Sequence, residues 1–496
     1  MPADDPHLDP GASSGGRRAS WRPWVVMGVV LVGSYLVVLN TTVLGVALPD
    51  ISRDLGGASA IGVDWVITVY LLAVVGVQPL TAWLADRWGQ RTLYLASLAV
   101  FAAGSVLAAI APTLPALLAA RAVQGAGGGA LMPLGMAMVL AVFPPHRRGL
   151  VLGIRGVAVM AGPALGPPIG GLLVTAGSWR LIFWALLPIA VLALALGATL
   201  LRDPGARDHR PLDLGGWLLA FAGIGLVVVG ARQAGAWGFA SAETIVAVVG
   251  GSALLAALVR RSLRRQDPLI EMRLFAVPAF GISIAMVWLV TVVQFARLNF
   301  LPVELQVLRD LTAAEVGLIL APAAVGVAIT MPAGGWLADR IGARIPSLAG
   351  LAVMGVTTWQ LSQLTPQTPV WEITAVLLVQ GLGTGLMRIP LNVAGMNALP
   401  NRYITQGAAL RSLNRQVAGA LGTAVLAAVV IVQVGTIAPD VTTAEEVASA
   451  QAAYNRVFLL ASVLVVPALA GAAALPGRRQ MRDLQAQRAA EYDAEQ

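Results

Sequence analysis

Any chemistry done by this chain would have to be done with charge. There is no Cys, so neither a disulfide nor a thiolate metal site can form, and the three histidines, His7, His146 and His209, fall in a terminal tail and in connecting loops. No Lys occurs anywhere, which excludes a phosphate-binding loop ending in Gly-Lys-Ser/Thr, and no Ser/His/Asp arrangement suggests nucleophilic attack. The expectation is a protein that is not an enzyme and holds no metal and no cofactor. What remains are arginines and carboxylates in unusual places. Asp86-Arg87-Trp88-Gly89-Gln90-Arg91 returns as Asp339-Arg340-Ile341-Gly342-Ala343-Arg344, each time between two long apolar runs. An acid and a base at a helix end can pair with neighbouring charges and helix termini, and so latch one side of a bundle in one conformation. Their duplication between hydrophobic runs implies a duplicated membrane body.

A second set of charges lies within the apolar runs. Arg121 stands well inside the fourth run with Gln124 one turn on, and Arg155, Arg297, Arg388, Arg411 and Arg415 lie in or at the edges of later ones. An ionised side chain there is costly unless it is paired or faces water. Arg411 and Arg415 share a helix face, as do Arg297 and Glu304 seven residues apart. Two readings are open: a cavity that attracts anions, or snorkelling of Arg155, Arg411 and Arg415 to the membrane surface. No Asp or Glu falls in the middle of a run. Glu304 comes closest, either as a solvated acid at a loop edge or as a carboxylate that takes up protons, with Asp64 next in line.

These residues need long helices to position them. The 496-residue chain is 57% hydrophobic and 12% charged, against roughly 25% charged in an average soluble domain. Its mean hydropathy is +0.77. About fourteen runs are long enough to cross a bilayer, each needing about 20 residues. The first is too long for a signal h-region and lacks a small-residue cleavage site, so it reads as a retained span. Arginines cluster in alternate loops, and the +8 net charge is therefore a topology signal rather than a nucleic-acid footprint; it puts both termini in the cytoplasm. The predicted organisation is a disordered tail (1–22), a six-helix bundle (23–203), a two-helix insertion (204–266), a second six-helix bundle (267–476) and a tail (477–496). Gly162, Gly166 and Gly170 recur every fourth residue beside Pro163 and Pro167, a face that allows close and sliding helix contact. Gly125, Gly127, Gly128 and Gly129 in the fourth run, and Gly381, Gly383 and Gly385 in the twelfth, are further close-contact patches.

On these motifs the chain resembles the major facilitator superfamily, in particular its fourteen-span drug:proton antiporters. The likeness covers nearly everything after residue 22. Leu39-Asn40-Thr41-Thr42 to Pro49 ends the first span, and Leu84-Ala85-Asp86-Arg87-x-Gly89-x-Arg91 is similar to the superfamily's loop signature. Arg121-x-x-Gln124-Gly125-x-Gly127 is similar to the fourth-span signature, and Gly162-Pro163-x-x-Gly166-Pro167-x-x-Gly170-Gly171 to the antiporter signature. Trp179-Arg180-x-Ile182-Phe183 and Arg415-Gln416 fit later patterns. The sequence departs from the family where Asn40 replaces an acid and Gly45 an Asn, where Glu304 stands for a Tyr, and where Arg388 stands for an apolar or small residue.

The resemblance implies an all-α polytopic protein that exports small amphipathic molecules, such as drugs or secondary metabolites, by alternating access, with protons as the coupling ion. Asn40, Arg121, Gln124, Arg297, Glu304, Arg388 and Arg415 are the cavity or coupling candidates. The implied partners are a small-molecule substrate, protons and the lipid bilayer, with no nucleic acid and a monomeric state, in a bacterial inner membrane. The interior arginines keep open a transporter of anionic metabolites or lipids not driven by protons; a membrane receptor that transports nothing is the other alternative.

Overall fold

The computed structural model describes residues 22–55, 60–144, 147–202, 211–238, 241–400, 403–435, 441, 443–477, 479–480 and 483. Among the described residues the chain is helical, with no strand beyond one isolated bridge between Gly342 and Gly477. The helices run α1 Arg22–Asp54, α2 Ala60–Val77, α3 Thr81–Trp88, α4 Gln90–Ala109, α5 Leu114–Val142, α6 Arg148–Thr175, α7 Arg180–Leu200, α8 Leu214–Trp237 and α9 Ala242–Arg264. They continue as α10 Pro278–Arg309, α11 Ala313–Ile341, α12 Arg344–Leu361, α13 Val370–Asn397, α14 Ile404–Val434, α15 Ala444–Val463 and α16 Val465–Ala473. Pro79, which has no N–H to donate, sits in a short 3-10 turn, Gln78–Leu80, between α2 and α3. Thr312 with Glu315, and Thr443 with Glu446, close capping boxes at the starts of α11 and α15.

Twelve stretches among the described residues are long and apolar enough to cross a membrane, against the expected fourteen. The helices not among the twelve are α6 and α12. Arg344, Ser347, Thr357, Thr358 and Gln360 make α12 more polar than its neighbours. Most of the expected tails, the three histidines, and the side chains of Asp64, Pro163 and Pro167 lie outside the described residues.

The packing repeats along the chain. Helix α5 lies against α2 and α4 as α13 lies against α11 and α12; α1 lies against α6 and α7 as α10 lies against α14, α15 and α16. Glycines make the close pairs possible. A Cβ on Gly125 or Gly129 would run into α2, one on Gly127 into α4, one on Gly381 or Gly385 into α11, and one on Gly383 into α12. The pair α8/α9 leans on α2 and α14 together. Trp217 stacks on Phe221 with ring centroids 5.8 Å apart and donates its indole N–H to the Gly76 carbonyl at 2.8 Å. Asp213 caps α8 through the Gly216 amide (3.0 Å) and holds α9 through Arg261 (2.8 Å) and Arg265 (3.3 Å).

Candidate functional site

The duplicated turns make the same local structure twice. Gly89 and Gly342 each have φ 87°, which L residues avoid, and so stop one helix and start the next. The arginine two residues later then ties its turn to another helix end: Arg91 donates to the Ala198 carbonyl at 2.6 Å and Arg344 to that of Leu475 at 3.1 Å. Arg87 lies over Trp83 and Arg340 over Trp336, at 5.5 and 4.3 Å from the ring centroids. Asp339 crosses between the repeats. Its two carboxylate oxygens accept from the amides of Gly149 and Leu150, both at 3.0 Å, at the N-terminus of α6, where unpaired N–H groups favour an anion.

Around that contact the two repeats of the chain meet closely. Gly149 lies against the Gly335 carbonyl, Gly153 against Met331 and Pro332, and Gly156 against the Met331 side chain. Arg148 donates to Leu140 O (2.9 Å) and to Asn397 (3.4 Å). Gln78 donates to Ser412 (3.0 Å) and accepts from Gln416 (2.6 Å). Gly162, Gly166 and Gly170, expected to form a close helix contact, face Val38, Thr42 and Val43 of α1, within the first repeat. The α6 face that meets the second repeat is Gly149, Gly153 and Gly156. Spacing shows that small residues share a helix face but not which neighbour that face meets.

Just beyond this seam, a cavity of about 140 Å³ lies between the repeats. Met132 and Met136 of α5, Val290 of α10 and Met331 of α11 are among its apolar walls, with Thr291, Gln294 and Asn392 among its neutral polar ones. Four arginines also line it, Arg155 from α6, Arg388 from α13, and Arg411 and Arg415 from α14, and none of the lining residues is acidic. Arg155 is steered by Ser34 (3.1 Å) and the Met132 carbonyl (3.2 Å). Arg411 is 8% exposed, and its Nη1 has no hydrogen-bond partner. Of the three arginines for which surface snorkelling is the alternative, Arg411 is buried, Arg155 half-buried and Arg415 exposed.

Asn40, Arg121 and Gln124 lie apart from the cavity, in a cluster where all three are 0% exposed. Arg121 donates to Asn40 Oδ1 (2.9 Å), to the Val66 carbonyl (3.1 Å) and to Gln124, and its guanidinium sits 4.2 Å from the Tyr70 ring centroid. Gln124 passes the chain on to Ser105 at 2.7 Å. Among the described residues no carboxylate pairs with Arg121, and Asn40 stands where an acid would give it one.

Glu304 is no solvated edge. It is 0% exposed, one oxygen accepts from Gln451 at 2.8 Å, and the other has no partner. Gln451 also donates to Asn455 (2.9 Å), which donates to the Leu364 carbonyl (3.0 Å). Arg297, on the same helix, is half-buried and lies outside the cavity lining. At the same end of the first repeat, Asp54 accepts from Trp179 (3.0 Å) and from Arg180, which also donates to Ala111 O (3.1 Å).

Twelve apolar spans among the described residues, a packing plan used twice and a polar cavity at the seam define a multi-pass membrane transporter. The chain belongs to the Major Facilitator Superfamily, whose family model matches residues 30–423, and it is therefore a transporter and not an enzyme. It is 33% identical to the MFS-type transporter YhcA of Bacillus subtilis over 84% of this chain and 78% of that one. It is 31% identical to the lincomycin resistance protein LmrB of Bacillus subtilis (81% and 84% covered) and 32% identical to the multidrug resistance protein B homolog of Mycobacterium tuberculosis (82% and 76%). Among solved structures, the proton:xylose symporter XylE aligns with a TM-score of 0.62 at 15% identity, covering 94% of this chain and 99% of that one. The human organic anion transporter MFSD10 aligns at 0.61 and 20% identity (89% and 99%). These two likenesses concern the fold alone.

Proposed function

We propose that this transporter exports small amphipathic molecules across a bacterial inner membrane by alternating access, as a fourteen-span drug:proton antiporter. The observation that carries the reading is the cavity between the repeats, stoppered at one end by Asp339 on the α6 N-terminus and by the Gly149/Gly335 contact. The arginine alternation along the sequence supports assigning that end, and both termini, to the cytoplasm. Residues 23–203 and 267–476 act as the two rocking bundles, and 204–266 rides on both. Asp86, Arg87, Gly89 and Arg91, with Asp339, Arg340, Gly342 and Arg344, form the latch. Gly162, Gly166, Gly170 and Gly171, with Pro163 and Pro167, hold α6 to α1 so that they move as one. The likeness to a lincomycin resistance protein and a multidrug resistance protein homolog supports efflux. Asn40 cannot exchange a proton, so proton coupling falls to Glu304, a buried carboxyl with one free oxygen.

Everted membrane vesicles test this. A panel of amphipathic compounds is offered with the proton gradient intact and with it collapsed by a protonophore. At least one compound should accumulate only with the gradient. Failure of every compound to accumulate, in vesicles where the protein is folded, contradicts the reading.

A further inference from the structure

We infer that the cavity selects amphipathic anions, binding a carboxylate, sulfonate or phosphate headgroup on its arginines and the apolar body along its methionine and valine walls. The inference rests on the exporter reading and names its substrate class. Four arginines line one cavity that, among the described residues, has no carboxylate in its lining. Like charges four residues apart on a helix repel, so Arg411 and Arg415 destabilise α14 unless an anion sits between or before them. Arg411 contributes to the lining, is more than nine-tenths buried, and has an Nη1 with no hydrogen-bond partner. A buried donor of that kind calls for an acceptor that the protein does not supply. Arg155 is already aimed by Ser34 and Met132 O, and planar guanidinium forks suit a headgroup with two or three oxygens.

The arrangement also links binding to movement. Arg155 comes from the first repeat, whereas Arg388, Arg411 and Arg415 come from the second. A headgroup between them neutralises both sides of the seam, and separating the repeats removes part of its shell. Anion binding therefore favours the arrangement in which the repeats are together around it, and release follows when they part.

The test uses the purified full-length protein in phosphatidylcholine nanodiscs, titrated calorimetrically with hexanesulfonate and with hexyltrimethylammonium, after subtraction of empty discs. The tails match, so the comparison isolates the headgroup. The sulfonate should bind at least about tenfold more tightly, and Arg411→Gln/Arg415→Gln should remove that preference without weakening the ammonium compound. Equal binding of the two ions by the unmodified protein, or a preference for the cation, overturns the inference whether or not the variant folds. So does an unchanged preference in a folded variant. Repeating the titration in phosphatidylglycerol discs separates two sources of the headgroup. Loss of sulfonate binding there makes an anionic lipid the occupant, whereas retention makes it a soluble organic anion. Accumulation of cations alone in everted vesicles would leave the exporter reading standing while removing this one. Selective anion binding without any transport would do the reverse.

Discussion

Glu304 shows how burial changes the meaning of a residue. By sequence it lies near the end of an apolar run, where a carboxylate ordinarily meets water. In the fold α15 covers it, and Gln451 supplies one hydrogen bond to a side chain with no exposed surface. Nothing local in the sequence announces a cover that comes from nearly 150 residues away. Arg121 is the converse case: its place deep in an apolar run marks it as exceptional from sequence, but its partner Asn40 was legible only as a departure from the family pattern. Asn40 accepts from the guanidinium, and a neutral amide of this kind holds its partner without titrating. If Glu304 carries coupling, Glu304→Gln should leave downhill exchange of substrate near normal and reduce proton-driven accumulation to the level seen with a protonophore. Counterflow and gradient-driven uptake in the same proteoliposomes check this. Unchanged accumulation would take the role from Glu304.

Two faces of one element, α6, meet different neighbours. Gly162, Gly166 and Gly170 lie against α1, whereas Gly149, Gly153 and Gly156 meet α11 across the seam. Gly166→Leu should therefore destabilise the first repeat itself by about 1–3 kcal/mol, through forced overpacking against Thr42. Gly153→Leu should fold with little change in melting temperature but hold the repeats apart, abolishing transport. Melting curves in detergent beside flux in proteoliposomes distinguish them, and equal loss of stability in both would mean that the faces are not distinct. The inserted pair has its own fastening. Burial pushes the Asp213 carboxyl up, but Arg261, the Gly216 amide and Arg265 outweigh it and hold it below the ordinary carboxylate value. A carboxylate depressed in the folded state stabilises fully above its unfolded value of about 3.9, and that stability is lost as pH falls through the folded value. At neutral pH Asp213→Ala should cost about 1 kcal/mol through the lost cap, and the gap should narrow in acid. A constant gap from pH 7 down to the acid limit would leave the cap alone responsible.

At the scale of the molecule, duplication was the most legible feature, because one turn is written twice and a turn's chemistry is local. Gly89 and Gly342 share a φ, and Arg91 and Arg344 share a job, since each turn must reverse the chain and satisfy a neighbouring helix end. The four-arginine cavity was half legible: charge inside an apolar run can be read off the sequence, but convergence of α6, α13 and α14 on one space depends on how the repeats sit together. The contacts across the seam, among them Asp339 with Gly149 and Gln78 with Ser412, were not legible, for they join residues far apart in the chain. They are also what alternating access must break. Since the chain has no native Cys, Gln78→Cys/Ser412→Cys can be bridged by a short bifunctional thiosulfonate in proteoliposomes. Bridging should stop transport, single-cysteine proteins treated alike should keep it, and reduction should restore it to the untreated level. Transport that continues at full rate with the bridge in place would contradict opening at this seam.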